Sequence, residues 1–251
     1  MEAALLPRSR TVTCMTTTQA SYDATRPSSP AQPDPAGPAD RHLQGGLVRV
    51  IDELDVVSIL DVGCGSGHSL AALARSASSY ELSGADVSEQ ALRATGRRVP
   101  AADLHLLDVQ RETIPWRFDL VMAVHIIEHL YDDLGAMRNM AAMSNKYVLL
   151  SSVARRVRPT HNGREGHLRS YTGLELRQRL EAIDLNVIWM RGWGWPFYSP
   201  VARTMKEWLP GVPDELGSLN RAQRAAAQVA HQLYRLNVPG RGDVITVLAS
   251  H

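Results

Sequence analysis

The sequence has few cysteines, almost no net charge and no long hydrophobic run, and each shortage excludes a class of protein. Only Cys14 and Cys64 are present, which excludes a disulfide scaffold and a structural zinc site built on cysteines, and favours the reducing cytoplasm. The formal net charge of +1 gives no overall attraction to nucleic acid or to a membrane surface. No apolar run approaches the about 20 residues that cross a bilayer. We therefore expect a cytoplasmic protein with no membrane span.

The remaining composition is that of an ordinary globular chain with an unusual N-terminal arm. The 251 residues are 44% hydrophobic and 21% charged, which suits a single α/β domain with one good core. Six of the 14 prolines fall among the first 38 residues. Such a segment cannot bury enough apolar surface to offset its ordering entropy. We expect a mostly disordered arm over 1–38 and one domain over 39–251; the alternative is that part of the arm, around Tyr22, folds over a bound ligand.

From residue 40 onward, strand-like runs alternate with segments of helical periodicity. This alternation predicts a doubly wound α/β sheet, mostly parallel, with helices on both faces. The predicted strands are 56–62, 81–87, 103–109, 118–125, 146–153, 186–192 and 243–249. The predicted helices are 41–54, 67–77, 88–98, 133–143 and 173–183. The last of these begins with a capping box, Thr172 and Glu175.

An insert over 196–240, placed before the last strand, is predicted to be a helical lid. Its two helices are expected over 199–209 and 219–236. The second helix has apolar residues at spacings of three and four, which indicates either a dimer contact or a face of the core. These residues are Ala225, Val229, Leu233 and Leu236. We expect a monomer or a homodimer.

The strongest motif is the run DVGCGSG over 61–67, at the end of the first predicted strand. Its three glycines, Gly63, Gly65 and Gly67, allow a tight turn and let a ligand touch the backbone. The helix that follows points its N-terminus at that ligand. Asp86 comes 23 residues after Gly63, at the end of the second strand. A carboxylate there is placed to hydrogen-bond two ribose hydroxyls.

The spacing departs from the dinucleotide fingerprint G-x-G-x-x-G. His68 stands where that pattern has its third glycine, and the third glycine of this chain comes one residue early. Asp61, ahead of the first glycine, would repel a nearby pyrophosphate and suits a cationic ligand better. The pattern favours a cofactor with a ribose and a positive charge over NAD.

Further motifs follow in a fixed order. They are LDV over 107–109, FDLV over 118–121, IEHL over 127–130 and GHLRSYT over 166–172. In this order, over about 57–190, the chain resembles the class I S-adenosylmethionine-dependent methyltransferases, and their small-molecule branch in particular. The resemblance implies a Rossmann-like seven-stranded sheet whose last strand is antiparallel. It also implies methyl transfer from S-adenosylmethionine, which leaves S-adenosylhomocysteine.

The resemblance also implies a role for each matching residue. Asp61 would lie near the amino group of the cofactor, and Asp86 would hold its ribose hydroxyls. Asp108, with the backbone of Val109, would meet the adenine edge, although it has an alternative as a turn residue. His125 would border the methionine end. The implied cofactor-binding residues are Asp61, Gly63, Cys64, Gly65, Gly67, Asp86, Val87, Asp108, Val109 and His125.

Methyl transfer requires few catalytic groups from the protein. Methyl transfer from a sulfonium needs alignment, and only a hydroxyl or an acidic carbon also needs a base. His167, His129 and Tyr171 are the candidate catalytic residues. The alternatives are a helix-start contact for His129, and anchoring of one loop by His167, Arg169 and Tyr171. No cluster has convincing metal-ligand spacing, so we expect no metal; the alternative is a site that includes His161 and His167.

Aromatic residues are concentrated over 189–198, which holds three of the five tryptophans. Rings at a strand end before a lid would form a pocket wall that stacks on a flat substrate; the alternative is that they anchor the insert. The candidate substrate-binding residues are Arg169, Trp193, Trp195, Phe197 and Tyr198.

Seven arginines lie between 155 and 179, against two acids. They would attract an acidic substrate or RNA, or form a solvated surface. We expect a methyltransferase of a small molecule, at oxygen or nitrogen, in specialised metabolism such as antibiotic biosynthesis. The alternatives are a methyltransferase of RNA or protein, and a protein of this fold that catalyses a cyclisation or binds a partner instead.

Overall fold

The computed structural model describes residues 38–76, 78–154, 167–199, 228–229, 232–238 and 240–251. Seven strands are found among them, in the places that the alternation predicts. They are β1 (Ser58–Val62), β2 (Glu81–Asp86), β3 (Asp103–Leu106), β4 (Phe118–Val124), β5 (Ser144–Val153), β6 (Asn186–Trp193) and β7 (Val244–Ser250). The helices are α1 (Pro38–Asp52), α2 (His68–Leu73), α3 (Glu89–Arg98), α4 (Asp133–Ala142) and α5 (Gly173–Glu181), with a short 3-10 helix at Ile127–His129.

The strands form one sheet in the order β3-β2-β1-β4-β5-β7-β6. β1 to β5 are parallel, whereas β7 pairs antiparallel with both β5 and β6. This confirms the predicted fold class, a mostly parallel, doubly wound sheet with an antiparallel last strand. The strand order reverses between β1 and β4, and the carboxyl ends of these strands form the edge where a ligand binds in such sheets.

Two hydrophobic cores cover the two faces of the sheet, because successive side chains of a strand point in opposite directions. In β1, Ile59 belongs to the core beneath α1 and α2, and Leu60 belongs to the core beneath α4 and α5. Each face is sealed by fully buried helical residues, such as Ile51 of α1 and Met137 of α4. Burial on both faces explains why the strands are almost continuously apolar.

Local signals fix the helix boundaries. Ser88 accepts a hydrogen bond from Ala91 N at the start of α3, and Asp132 accepts one from Gly135 N at the start of α4. The predicted capping box is present, since Thr172 and Glu175 exchange side-chain-to-backbone hydrogen bonds at the start of α5. The loops that lead from the strands to these helix starts therefore lie at the carboxyl edge of the sheet.

Two elements end three or more residues before the predicted position. β3 ends at Leu106 instead of 109, because Asp108 makes a turn in which its Oδ1 accepts a hydrogen bond from Gln110 N at 3.2 Å. α2 ends at Leu73 instead of 77.

The predicted arm over 1–38 falls outside the described residues, apart from position 38. Most of the predicted lid over 196–240 also lies outside them, including the proposed helix 199–209 beyond residue 199. Residues 228–229 and 232–234 are helical, as predicted. Val229, Leu233 and Leu236 are exposed, which argues against the core alternative for this face. Among the described helices, none combines the length and apolar character needed to cross a bilayer.

Candidate functional site

The glycine loop leaves β1 at the centre of the sheet and turns toward α2. Gly63, Gly65 and Gly67 have φ values of 70°, 56° and 79°, a conformation that residues with a Cβ rarely adopt. Two backbone bonds hold the start of the loop, because Gly63 N and Cys64 N both donate to Ala85 O, at 2.7 and 3.0 Å. The loop is therefore fixed to the end of β2 as well as to β1.

Helix α3 holds the far side of the loop. Thr95, which is fully buried, donates its hydroxyl to Gly65 O at 2.7 Å, and Arg98 Nη1 donates to Ser66 O at 2.7 Å. Neither residue was identified from the sequence, because nothing in a helix pattern shows that it faces a loop some 30 positions away. These bonds set the glycine loop before any ligand binds.

The three glycines differ in what surrounds them. A Cβ at Gly63 would collide with the side chain of Ile126, and one at Gly67 would lie 2.9 Å from Thr95. A Cβ at Gly65 would meet nothing within 4 Å. Gly63 and Gly67 are thus required by the packing of the protein itself, whereas Gly65 borders open space, as a ligand cradle requires.

Cys64 lies between these glycines with its side chain buried. Its Sγ is 3.8 Å from the Thr95 hydroxyl, and burial, with the nearby Asp61 and Asp86, raises the pKa of the thiol far above its usual range. A thiol held neutral in this way is not a nucleophile. Only the backbone of Cys64 is placed to meet a ligand.

Asp86 ends β2 with its carboxylate directed at the loop. Its Oδ2 accepts a hydrogen bond from Gly65 N and its Oδ1 accepts one from Ser88 N, both at 2.9 Å. Val87, which follows, is half-buried. The two backbone donors orient the carboxylate beside the cradle, where the sequence predicts binding of ribose hydroxyls.

Asp61 is 2% exposed at the end of β1. Burial, and then the charge of Asp86, raise the pKa of the Asp61 carboxyl from 3.8 to about 8. The carboxyl is therefore mostly neutral at pH 7 in the free protein. A cationic group bound beside it would favour the ionised form, which agrees with its predicted place near an amino group.

Asp108 follows β3, and only one of its two carboxylate oxygens accepts hydrogen bonds. Oδ1 accepts hydrogen bonds from the backbone and side chain of Gln110. Oδ2 is buried and has no hydrogen bond; its nearest cation is Arg111, with Nε at 3.4 Å. A buried acceptor without a donor is costly, and an exocyclic amino group would supply one. The neighbouring Val109 is buried, and its carbonyl accepts a bond from Asn139.

His125 ends β4 in a left-handed conformation, with φ 55°. Its Nδ1 lies 3.0 Å from Oε1 of Glu128, and Ser152 donates its hydroxyl to Oε2 of the same carboxylate at 2.8 Å. Burial alone would raise the pKa of Glu128, but the bonds from His125 and Ser152 outweigh it and hold this pKa below its usual value. No role is predicted for Glu128 from the sequence, although it lies within the IEHL motif.

His129 and His167 come together at the same edge. Their ring centroids are 4.7 Å apart. Both side chains are half-buried. The segment that carries His167 is bound to the 3-10 helix that follows β4, because Leu168 N donates to Glu128 O at 2.8 Å. The structure thus places both predicted catalytic histidines side by side.

Tyr171, the third predicted catalytic residue, lies in the core instead. It is 2% exposed, and its hydroxyl donates to Asp133 Oδ2 at 2.8 Å and contacts Ile127 O at 3.1 Å. Burial and Asp133 raise the pKa of Tyr171 far above its usual range. This geometry argues against a catalytic role for Tyr171 and favours the anchoring alternative.

The described arginines of the basic run form ion pairs with acidic residues of the protein. Arg169 and Arg179 both pair with Asp133, at 2.6 and 3.1 Å, and Arg177 lies 3.6 Å from Glu181. Arg169 also donates to Tyr131 O. These ion pairs favour anchoring of the loop over a free basic surface. Positions 155–166, with the other four arginines and His161, lie outside the described residues.

The aromatic segment packs against α1 and the chain before β7. Trp193 stacks with His42 and with Tyr198, at centroid distances of 4.8 and 4.7 Å, and Tyr234 meets it edge-on at 5.9 Å. Trp195 is 47% exposed. Phe197 is half-buried, and its backbone N donates to Asn237. This stack holds the segment against α1, and Trp193 and Tyr198 are only half-buried, so part of each ring stays exposed, as does the ring of Trp195.

The groups at this edge fit S-adenosylmethionine. The cradle at Gly65, the oriented carboxylate of Asp86 and Oδ2 of Asp108, which accepts no hydrogen bond, suit the ribose and adenine of the cofactor. Asp61 matches its cationic end. These positions lie at the ends of three neighbouring strands, β1, β2 and β3, so one extended ligand can reach all of them.

Comparisons with known proteins agree with this fit. A model of the methyltransferase domain family matches residues 24–189, more than half of the chain. A solved magnesium protoporphyrin IX methyltransferase from Synechocystis PCC 6803, with bound S-adenosylmethionine, is 11% identical over 85% of this chain and 80% of that chain, with a TM-score of 0.53. No curated protein sequence matches the chain.

Two further solved structures are similar. The plantazolicin methyltransferase BpumL, in complex with a triazolic desmethylPZN analogue and S-adenosylhomocysteine, is 14% identical over 93% of this chain and 89% of that chain, with a TM-score of 0.54. The cyclase SpnF is 18% identical over 84% of this chain and 81% of that chain, with a TM-score of 0.58. At these identities the solved structures show a shared fold. The matched family model decides the assignment: this chain belongs to the methyltransferase domain family and is an S-adenosylmethionine-dependent methyltransferase.

Proposed function

We propose that the chain methylates a small-molecule acceptor, at an oxygen or nitrogen atom, in the biosynthesis of a specialised metabolite such as an antibiotic. The observation that carries the proposal is the aromatic wall formed by His42, Trp193, Tyr198 and Tyr234. Trp193 pairs with Val244, which in turn pairs with Val153 at the carboxyl end of β5. The wall thus stands at the same edge of the sheet as the glycine loop.

An aromatic wall beside a cofactor cleft suits a small, flat or apolar acceptor. A polymer such as RNA would require an open basic surface. Arg169, Arg177 and Arg179, the described members of the basic run, instead pair with acids of the protein. Two of the structural neighbours are named for a porphyrin and for plantazolicin, which is consistent with the proposal.

The residues of this chain would hold the cofactor as follows. Asp86 would bind the ribose hydroxyls, Asp108 the adenine, and the glycine loop the ribose and the methionine part, with Asp61 near the amino group. The sulfonium supplies an already activated methyl group, so the protein contributes alignment and exclusion of water. A hydroxyl acceptor must also lose its proton, and the groups here that can promote this loss are His129 and His167.

The proposal is tested by acceptor class. The full-length chain is supplied with methyl-labelled S-adenosylmethionine and, separately, with a panel of phenols, catechols, amines and carboxylic acids, with total RNA, and with a protein extract. We expect labelled product from the small molecules only, and its loss in Asp86→Ala. Label in RNA or protein alone would contradict the proposal. Cofactor binding without any methylated product would favour the alternative of a cyclase or a partner-binding protein.

A further inference from the structure

Glu128, His129 and His167 bring one carboxylate and two imidazoles together at the carboxyl end of β4. One ligand atom from each of the three residues lies within 4.8 Å of the other two. Glu128 is fully buried, and the two histidines are half-buried. His129 and His167 are far apart in the sequence, which is why their spacing along the chain gave no sign of a shared site.

The backbone builds this cluster. Glu128 and His129 belong to the short 3-10 helix Ile127–His129, which directly follows β4. The carbonyl of Glu128 accepts hydrogen bonds from Leu168 N at 2.8 Å and from Arg169 N at 3.3 Å. These two bonds place His167 beside His129.

The side chains of His125 and Ser152 orient the carboxylate of Glu128. Oε1 lies 3.0 Å from His125 Nδ1, and Oε2 accepts the hydroxyl of Ser152 at 2.8 Å. The two carboxylate oxygens have four lone pairs in all, so the bonds from His125, Ser152 and the backbone leave capacity for a further ligand. Metal-binding carboxylates are commonly fixed by outer hydrogen bonds of this kind.

Two imidazole nitrogens and one carboxylate oxygen are the protein ligands of many metal sites that keep an open position. Imidazole favours transition metals over Mg²⁺ and Ca²⁺, which prefer oxygen ligands. With metal–ligand bonds of about 2.1 Å, two ligand atoms of a tetrahedral ion lie about 3.4 Å apart. The ligand atoms of these three side chains lie within 4.8 Å of one another, so they would have to approach by up to about 1.4 Å.

We propose that Glu128, His129 and His167 bind one divalent transition-metal ion, with Zn²⁺ as the ion to test first, and leave a coordination position open to the acceptor. Resting on the proposed function, this specifies the acceptor as one with an oxygen ligand, such as a phenol or a catechol. A metal-bound hydroxyl releases its proton to solvent more readily. The resulting oxyanion then forms the bond to the methyl carbon as the bond between sulfur and that carbon breaks, which leaves a neutral thioether.

The experiment is a titration of the chelator-treated full-length chain with ZnCl₂ by calorimetry, and with Co²⁺ by visible absorption, which reports the ligand geometry. We expect one ion per chain. We expect His129→Asn and His167→Asn each to weaken Zn²⁺ binding at least tenfold. The matched control is His105→Asn, a histidine of β3 whose ring packs near Trp116 outside the cluster, and it should bind as the wild type does. Circular dichroism of every variant verifies that it is folded.

Absence of Zn²⁺ and Co²⁺ binding by the folded wild type would overturn the proposal. Unchanged binding in both folded histidine variants would also overturn it, because the ion would then be bound elsewhere. A parallel titration of the metal-free wild type with S-adenosylhomocysteine separates this failure from a failure of the proposed function. Cofactor binding without metal binding would contradict the metal-site proposal alone. Metal binding without small-molecule methylation would contradict the proposed acceptor alone.

Discussion

Replacing Asp61 with asparagine should abolish a specific pH dependence of stability. Asp61 is buried at the end of β1, and burial is the main cause that raises the pKa of its carboxyl from 3.8 to about 8. Between these two values the folded protein binds a proton at Asp61 that the unfolded chain has lost. The free energy of unfolding therefore falls as the pH rises through this window, by about 1.4 kcal/mol per pH unit. The stabilisation is complete below pH 3.8 and is lost once the pH has passed about 8.

The window from pH 5 to pH 7 gives the clearest magnitude. Over these two units the contribution of Asp61 falls by about 2.6 kcal/mol in the wild type and is absent in Asp61→Asn. Urea denaturation of both proteins at pH 5, 6 and 7 provides the two profiles. Titrating groups far from Asp61 affect both proteins alike, so the difference between the profiles reports Asp61 together with its coupling to Asp86.

Asp86→Asn serves as the second variant. It removes the neighbouring charge, which is the smaller cause of the raised pKa of Asp61, and leaves the burial unchanged. The pH dependence should persist in this variant but end at a lower pH. Parallel wild-type and Asp61→Asn profiles would refute the reasoning, because Asp61 would then ionise in the folded protein as it does in the unfolded chain.

Three further predictions concern the loop and the core. Gly63→Ala should destabilise the fold more than Gly65→Ala, because both positions have a positive φ but only the Cβ at 63 would strike Ile126; Gly65→Ala should in addition weaken binding of S-adenosylhomocysteine, and equal losses of stability on urea denaturation would contradict this. Thr95→Val should cost about 1–3 kcal/mol of unfolding free energy, since it leaves the Gly65 carbonyl without its donor, and an unchanged urea midpoint would count against that bond. Tyr171→Phe should lower stability by a similar amount, because it removes a buried hydrogen bond, and leave kcat nearly unchanged; a collapse of kcat at full stability would restore Tyr171 as a catalytic residue.

The sequence predicted the sheet because its signals are local. Continuous apolar runs such as that of β1 indicate burial on both faces of the sheet. Thr172 and Glu175 predict a helix start from a pattern that spans only four residues. The glycine loop was equally predictable, since its three positive φ values demand glycine. These features depend on neighbours in the chain, and the structure confirms the predicted sheet and the capping box.

The chemistry around the histidines was not predictable in the same way. Tyr171 reads as an accessible base in a loop motif, but its hydroxyl is buried against Asp133, 38 positions earlier. No sequence pattern identifies Glu128 as part of the site, because its position there depends on hydrogen bonds with Ser152 and with the backbone of Leu168. Such contacts join segments that only the folded sheet brings together, so no spacing rule reveals them.

The most direct test of the enzyme's cofactor site is calorimetric titration of the full-length chain with S-adenosylhomocysteine, on the wild type and on Asp86→Ala. Binding at a micromolar Kd, about −8 kcal/mol, is predicted for the wild type. The variant lacks the carboxylate that Gly65 N and Ser88 N orient toward the loop, so it should bind at least tenfold more weakly. No binding to the folded wild type, or equal binding by both proteins, would contradict the assignment of this edge of the sheet as the S-adenosylmethionine site.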